Sequence, residues 1–152
     1  MSAKVKRILV LHGPNLAALG TREPAIYGRA TLQDIQGILE ALAPELGCEI
    51  ECRQTNHEGV LIDALHMAKN SADGVVLNPG GLTHTSVALR DAVLASGVPV
   101  VEVHLSNPHA REPFRHVSLI SGAAVGVVQG FGPAGYELAL RGLVGVLSRD
   151  QA

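Results

Sequence analysis

The sequence predicts an α/β fold, a five-stranded parallel sheet with helices on both faces. Short β-branched apolar runs alternate with stretches of helical period, and neither repeats nor low-complexity tracts interrupt them. With 152 residues, 47% apolar and 17% charged, the chain can build one real core. No boundary divides it, so a single domain over residues 1–152 is expected.

The first strand is expected at residues 7–12, where Arg7 runs into the apolar stretch Ile8 to Leu11. A connection from Gly13 to Ala30 follows, longer than the roughly 12–15 residues beyond which structureless loops are generally functional or disordered. A helix then covers about 31–46, with Thr31 and Asp34 as its cap and Gly47 marking its end. The second strand is placed at 49–54 and the second helix at 59–70. The third strand, 74–78, leads to a helix at 85–95 that starts from the Thr83–Ser86 cluster and stops at Gly97. Strands at 98–104 and 124–129 and a last helix at 133–147 complete a flavodoxin-like order of elements.

The fourth strand carries the first functional signal. Side chains alternate across a strand, so Glu102, His104 and Ser106 share one face while Val101, Val103 and Leu105 share the other. Burying a carboxylate and an imidazole is costly unless they have partners. A carboxylate beside a histidine can fix its tautomer and raise its basicity, which suits acid-base chemistry as well as a satisfied core network. Open α/β sheets bind ligands beyond the carboxyl ends of their strands. The turns there are all polar: Gly13-Pro14-Asn15, Thr55 to Glu58, Asn78 to His84, and Ser106-Asn107 onward. The long first connection holds Arg22, Tyr27 and Arg29, with Gly13, Gly20 and Gly28 as hinges and Pro14 and Pro24 limiting its freedom. That composition suits a lid, and a guanidinium near Tyr27 would favour a phenolate able to act as a base. Arg111 and Arg115, four apart, can fork a carboxylate or phosphate. The turn Thr83 to Ser86 at a helix start is expected to offer free backbone donors to another anion.

Composition limits the partners. A net charge of −2 with no long basic run argues against nucleic acid or an anionic membrane, and no segment is long and apolar enough to span a bilayer. A small ligand is expected. The start, Met1 to Arg7, lacks a signal-peptide core and cleavage site. Cys48 and Cys52, four apart on a strand, would hold their Cα atoms roughly 13 Å apart, beyond disulfide reach. A reducing cytoplasm is the expected location.

Several ordered blocks together resemble one known family, the type II 3-dehydroquinate dehydratases. They are Gly13-Pro14-Asn15-Leu16, Leu19-Gly20-Thr21-Arg22-Glu23-Pro24 with Tyr27-Gly28, Gln54 to Gly59, Asn78 to Ala92, Glu102 to Asn107, His109-Ala110-Arg111-Glu112 and Gly135-Tyr136. The resemblance implies a flavodoxin-like enzyme that removes water from 3-dehydroquinate through an enolate, with anti stereochemistry and no metal or organic cofactor. It implies Tyr27 as the base, Arg22 favouring its phenolate, and Asn15 holding a water that donates to the enolate oxygen. His104, oriented by Glu102, would protonate the departing hydroxyl. Asn78, His84, Ser106, Arg115 and the backbone after Leu105 would bind substrate, and Arg111 resembles a second lid arginine. Asp91 would reach a neighbouring subunit's site, because the family's members are typically homododecamers built from trimers. His12, where many members have asparagine, Pro113, where an acidic or polar residue is frequent, and Leu119, near a common tyrosine, depart from the pattern. Pro113 is expected to straighten its turn and shift Arg115.

Rival chemistries have less support. An imine route, as in type I dehydroquinases, needs a desolvated lysine, and only Lys4, Lys6 and Lys69 exist, none well placed. No spacing among His57, His84, His104, His109 and His116 matches a zinc motif. A flavodoxin-like module binding FMN or a nucleotide would need a Ser/Thr/Gly-rich phosphate cradle after the first strand and aromatics for stacking, which are scarce here. A scaffolding oligomer with dead sites would not need Tyr27, Arg22 and His104 intact.

Overall fold

A computed structural model describes residues 4–150; Met1 to Ala3, part of the N-terminal stretch read for a signal peptide, lie outside them. Five parallel strands, β1 (Lys6–His12), β2 (Cys48–Gln54), β3 (Gly74–Asn78), β4 (Val100–His104) and β5 (Gly126–Gln129), form one sheet in the order β2-β1-β3-β4-β5. That is the expected flavodoxin-like order, in which the direction of winding changes between β1 and β3. The helices are α1 (Pro24–Tyr27), α2 (Leu32–Leu42), α3 (Glu58–Ser71), α4 (Val87–Ser96) and α5 (Ala134–Asp150).

Each face of the sheet has its own core. Ile8, Val10, Val76, Val101, Val103 and Leu105 pack with Ile35 and Leu39 of α2 and with Tyr136, Leu140 and Leu143 of α5. Leu9, Leu11, Val75, Leu77 and Val100 pack on the other side with Leu61 and Leu65 of α3 and Leu89 and Val93 of α4. Burying such a side chain stabilises the fold by about 1.5–3 kcal/mol. The helical residues recur at three- and four-residue spacing, the period that sets one face against a sheet. The alternation predicted for β4 holds, with Val101, Val103 and Leu105 on the α2/α5 side.

Local chemistry explains most boundaries. Thr31 accepts from the Asp34 N–H at 3.1 Å while Asp34 accepts from the Thr31 N–H at 2.9 Å, a reciprocal cap that starts α2. The helix expected to reach residue 46 stops at Leu42 and tightens into a 3-10 turn, Ala43–Leu46, around Pro44, which has no N–H to continue the α-helical ladder. Ser86 caps α4 by accepting from Leu89 N–H at 2.9 Å, so α4 begins two residues later than expected. The Thr85 and Ser86 N–H groups, read as free for an anion, both donate to Leu82 O in the 3-10 turn Gly80–His84. That expectation does not hold. The first connection is not structureless either: it contains a 3-10 turn, Leu16–Ala18, and the single turn of α1.

Candidate active site

A cavity of about 170 Å³ opens at the carboxyl edge of the sheet, beside the β1/β3 switch point. Three strand ends supply its floor: Pro14, Asn15 and Leu16 follow β1, Asn78 ends β3 with Gly80 and Gly81 after it, and His104 ends β4 with Leu105 and Ser106 after it. Arg22 and Tyr27 from the long connection, with His84, Arg111 and Arg115, complete it. Of the expected site residues, only Glu102 and Asp91 are absent from this lining. Among the described residues the lining holds three guanidiniums and no carboxylate, which suits an anionic ligand, with Glu23 and Glu112 pairing these arginines from outside it.

Glu102 lies behind His104. Strand alternation puts both on the α3/α4 side, and the Glu102 carboxylate accepts from His104 Nε2 through Oε2. Thr83 Oγ1 donates to Oε2 at 2.7 Å, Ser121 Oγ to Oε1 at 2.6 Å, and Ser118 Oγ to both oxygens at 3.1 Å. Burial pushes this carboxyl up, but the bonds from His104, Ser121 and Thr83 outweigh it and hold it below the usual carboxylate range. This bond leaves Nδ1 as the histidine nitrogen available to a ligand. His84 is oriented too: its Nδ1 donates to Val117 O at 2.8 Å, so the neutral ring keeps an acceptor at Nε2.

Tyr27 lies between cations. Arg22 Cζ is 4.7 Å and Arg111 Cζ 5.2 Å from its ring centroid, over the face of the ring rather than bonded to its hydroxyl. Arg111 also donates to Ser106 Oγ at 3.1 Å, while its buried Nε has no hydrogen-bond partner among the described residues. That Nε lies 3.8 Å from Glu112 Oε1, an ion pair longer than a hydrogen bond. Arg115 donates to Glu112 Oε2 at 3.0 Å. Pro113 opens a 3-10 turn, Pro113–Arg115, and Arg115 still reaches the cavity, so the proline tightens this turn instead of straightening it.

Asn15 adopts a left-handed conformation (φ 71) and is pinned from β2's end: its N–H donates to Asn56 Oδ1 at 3.0 Å, and Gln54 Nε2 donates to Gly13 O and to the same Asn56 oxygen. The polar turn after β2 thus supports the site without lining it. Asn78 offers Oδ1 to Gly80 N–H and donates through Nδ2 to Tyr136. Asp91 is exposed on α4, away from the cavity. Sequence reasoning missed Ser118 and Ser121, which lie in a segment with no periodic pattern and meet Glu102 only through the fold.

Comparisons with known proteins give the chain's family. Residues 6–144 match the family described as dehydroquinase class II. A 3-dehydroquinate dehydratase of Desulforudis audaxviator is 59% identical, over 95% of this chain and 97% of that protein. An Aspergillus flavus protein named catabolic 3-dehydroquinase 2 is 53% identical, over 93% of this chain and 97% of its own length. The crystal structure of type II dehydroquinase from Propionibacterium acnes superposes with a TM-score of 0.89 at 44% identity, covering 95% of this chain and 99% of that one. With a family match spanning nearly the whole chain and relatives this similar over their full lengths, the chain belongs to the class II dehydroquinases, a family of hydro-lyases.

Proposed function

We propose that the protein eliminates water from 3-dehydroquinate to give 3-dehydroshikimate, by anti elimination through an enolate. The observation that carries this reading is one cavity shared by Tyr27, His104 and three arginines, with no carboxylate among its described lining residues. The Tyr27 phenolate takes the proton beside the ketone, and the C–H electrons become the enolate. Arg22 and Arg111, over the ring, hold the base in place. A water held by Asn15 donates to the enolate oxygen. The enolate then reforms its carbonyl as the C–O bond breaks, and His104, protonated at Nδ1, delivers a proton so that the hydroxyl leaves as water. Glu102 keeps the imidazole oriented. Asn78, His84, Ser106 and the backbone after Leu105 bind substrate, and Arg115 and Arg111, which line the cavity, take the carboxylate.

Asp91 acts in a neighbouring copy's site within a dodecamer of trimers. Its exposure on α4, beside exposed Val87 and Leu94, supports an interface there. Both cysteines are free, as a reducing cytoplasm would keep them, and no helix among the described residues is long and apolar enough to cross a membrane.

The test is enone absorbance when the purified protein meets 3-dehydroquinate. Tyr27→Phe should lower kcat by at least about 100-fold, the usual worth of a positioned base. Wild-type rates in that variant would exclude Tyr27. His104→Ala should lose dehydration while retaining exchange of the acidic α-proton with solvent, and full dehydration would remove it as the acid.

A further inference from the structure

Beneath the cavity Asn78 is joined in a polar chain to two residues that the proposed chemistry leaves unused. His12 ends β1 and Asn78 ends β3 at paired positions, so both point to the α2/α5 side. There they meet Tyr136 from the first turn of α5. All three are buried, His12 and Tyr136 completely. Tyr136 OH is 2.9 Å from Asn78 Nδ2 and 3.0 Å from His12 Nδ1.

Proton counting fixes the direction of this chain. The Gly80 N–H, a donor, meets one end of the Asn78 amide at 3.1 Å, so that end is the oxygen and the other is the NH2 group. Nδ2 therefore donates to the Tyr136 oxygen. The phenol, kept neutral by burial, has a single hydrogen left to give, and His12 Nδ1 is the acceptor within reach. His12 must then be neutral with its proton on Nε2, and that nitrogen has no partner among the described residues. Three polar groups have been placed in an apolar core at the cost of one unsatisfied donor. Packing alone gives no reason for that arrangement.

We propose that Tyr136 and His12 are positioning residues that lock the Asn78 amide, so that its second Nδ2 hydrogen is offered to the substrate. This rests on the reading that Asn78 binds substrate. The phenol acts as a fixed acceptor for Asn78, and His12 sets the phenol's direction by accepting its hydrogen. Without the hydroxyl, Asn78 keeps only its Gly80 bond, and its amide turns to find another acceptor.

Steady-state kinetics on the full chain test the inference. Tyr136→Phe should raise KM for 3-dehydroquinate about fivefold to tenfold, the usual worth of one hydrogen bond, with kcat within about twofold. In an Asn78→Ala background the same change should move KM by less than about twofold, because the residue through which Tyr136 acts is gone. A merely structural tyrosine would affect both backgrounds alike, and that result would overturn the inference. So would a single variant with wild-type KM. Should Tyr136→Phe fail to fold, His12→Leu takes its place: a raised KM supports the chain, and an unchanged KM refutes it. A wild-type protein that does not turn over dehydroquinate would instead refute the parent reading.

Discussion

Lowering the pH from 7 to 4.5 puts a proton on His12 in the unfolded chain but largely not in the folded one. The ring is completely buried, no carboxylate among the described residues is bonded to it, and burial pushes its pKa from 6.5 down to about 4. A base whose pKa is depressed by folding leaves stability untouched above its unfolded value. It costs stability progressively as pH falls from 6.5 toward 4, because the unfolded state binds the extra proton. At pH 4.5 the two pKa values give a loss of about 2.5 kcal/mol relative to pH 7. Glu102 has a separate window. Its carboxyl is depressed, so its contribution is present above the unfolded value of 4.5 and disappears as pH falls through the folded one. Urea unfolding followed by circular dichroism, at matched protein concentration, should therefore show wild type losing about 2.5 kcal/mol more than His12→Asn between the two pH values. Any packing cost of the substitution is present at both and cancels. Equal losses, to within about 0.5 kcal/mol, would show that the buried ring is protonated as readily as a free one and refute the reasoning.

Two further outcomes follow from the site's geometry. Glu102→Gln removes the charge facing His104 while keeping the shape, and kcat should fall about 100-fold, with KM changing by less than about threefold; a kcat within fivefold of wild type in stopped or continuous enone assays would deny the carboxylate a role. A Cβ at Gly13 would lie 2.8 Å from Pro79 O and 3.0 Å from Asn78 O, both backbone atoms that cannot rotate aside. Gly13→Ala should cost about 1–3 kcal/mol in urea unfolding and raise KM by spreading the ends of β1 and β3; unchanged stability would mean that the two loops part freely.

Much of the fold was legible because its signals are local. The β-branched runs Ile8 to Leu11 and Val75 to Leu77 needed no partner to be read as strands, and Thr31 with Asp34 announced the start of α2. Where a boundary shifted, a local competitor decided it: Pro44 shortened α2, and Leu82 O captured the N–H groups expected to bind an anion. Much of the site could also be read, because Tyr27, Asn78, His84, His104, Arg111 and Arg115 stand beside strand ends or in their connections. Ser118 and Ser121 could not. Their bonds to Glu102 join residues 16 and 19 positions apart, in a segment without periodicity.

Amino-acid order by itself determined the alternation of strands and helices, the pairing of Glu102 with His104 on one strand face, and the family, since each depends on near neighbours or on residue identity alone. Tertiary structure alone decided that Arg22 and Arg111 lie over Tyr27, that three hydroxyls hold the Glu102 carboxylate, and that Tyr136 joins Asn78 to His12 across 58 and 124 positions of chain. Those contacts depend on where helices and loops come to rest on the sheet, and that is set by the packing of two apolar faces rather than by any local preference.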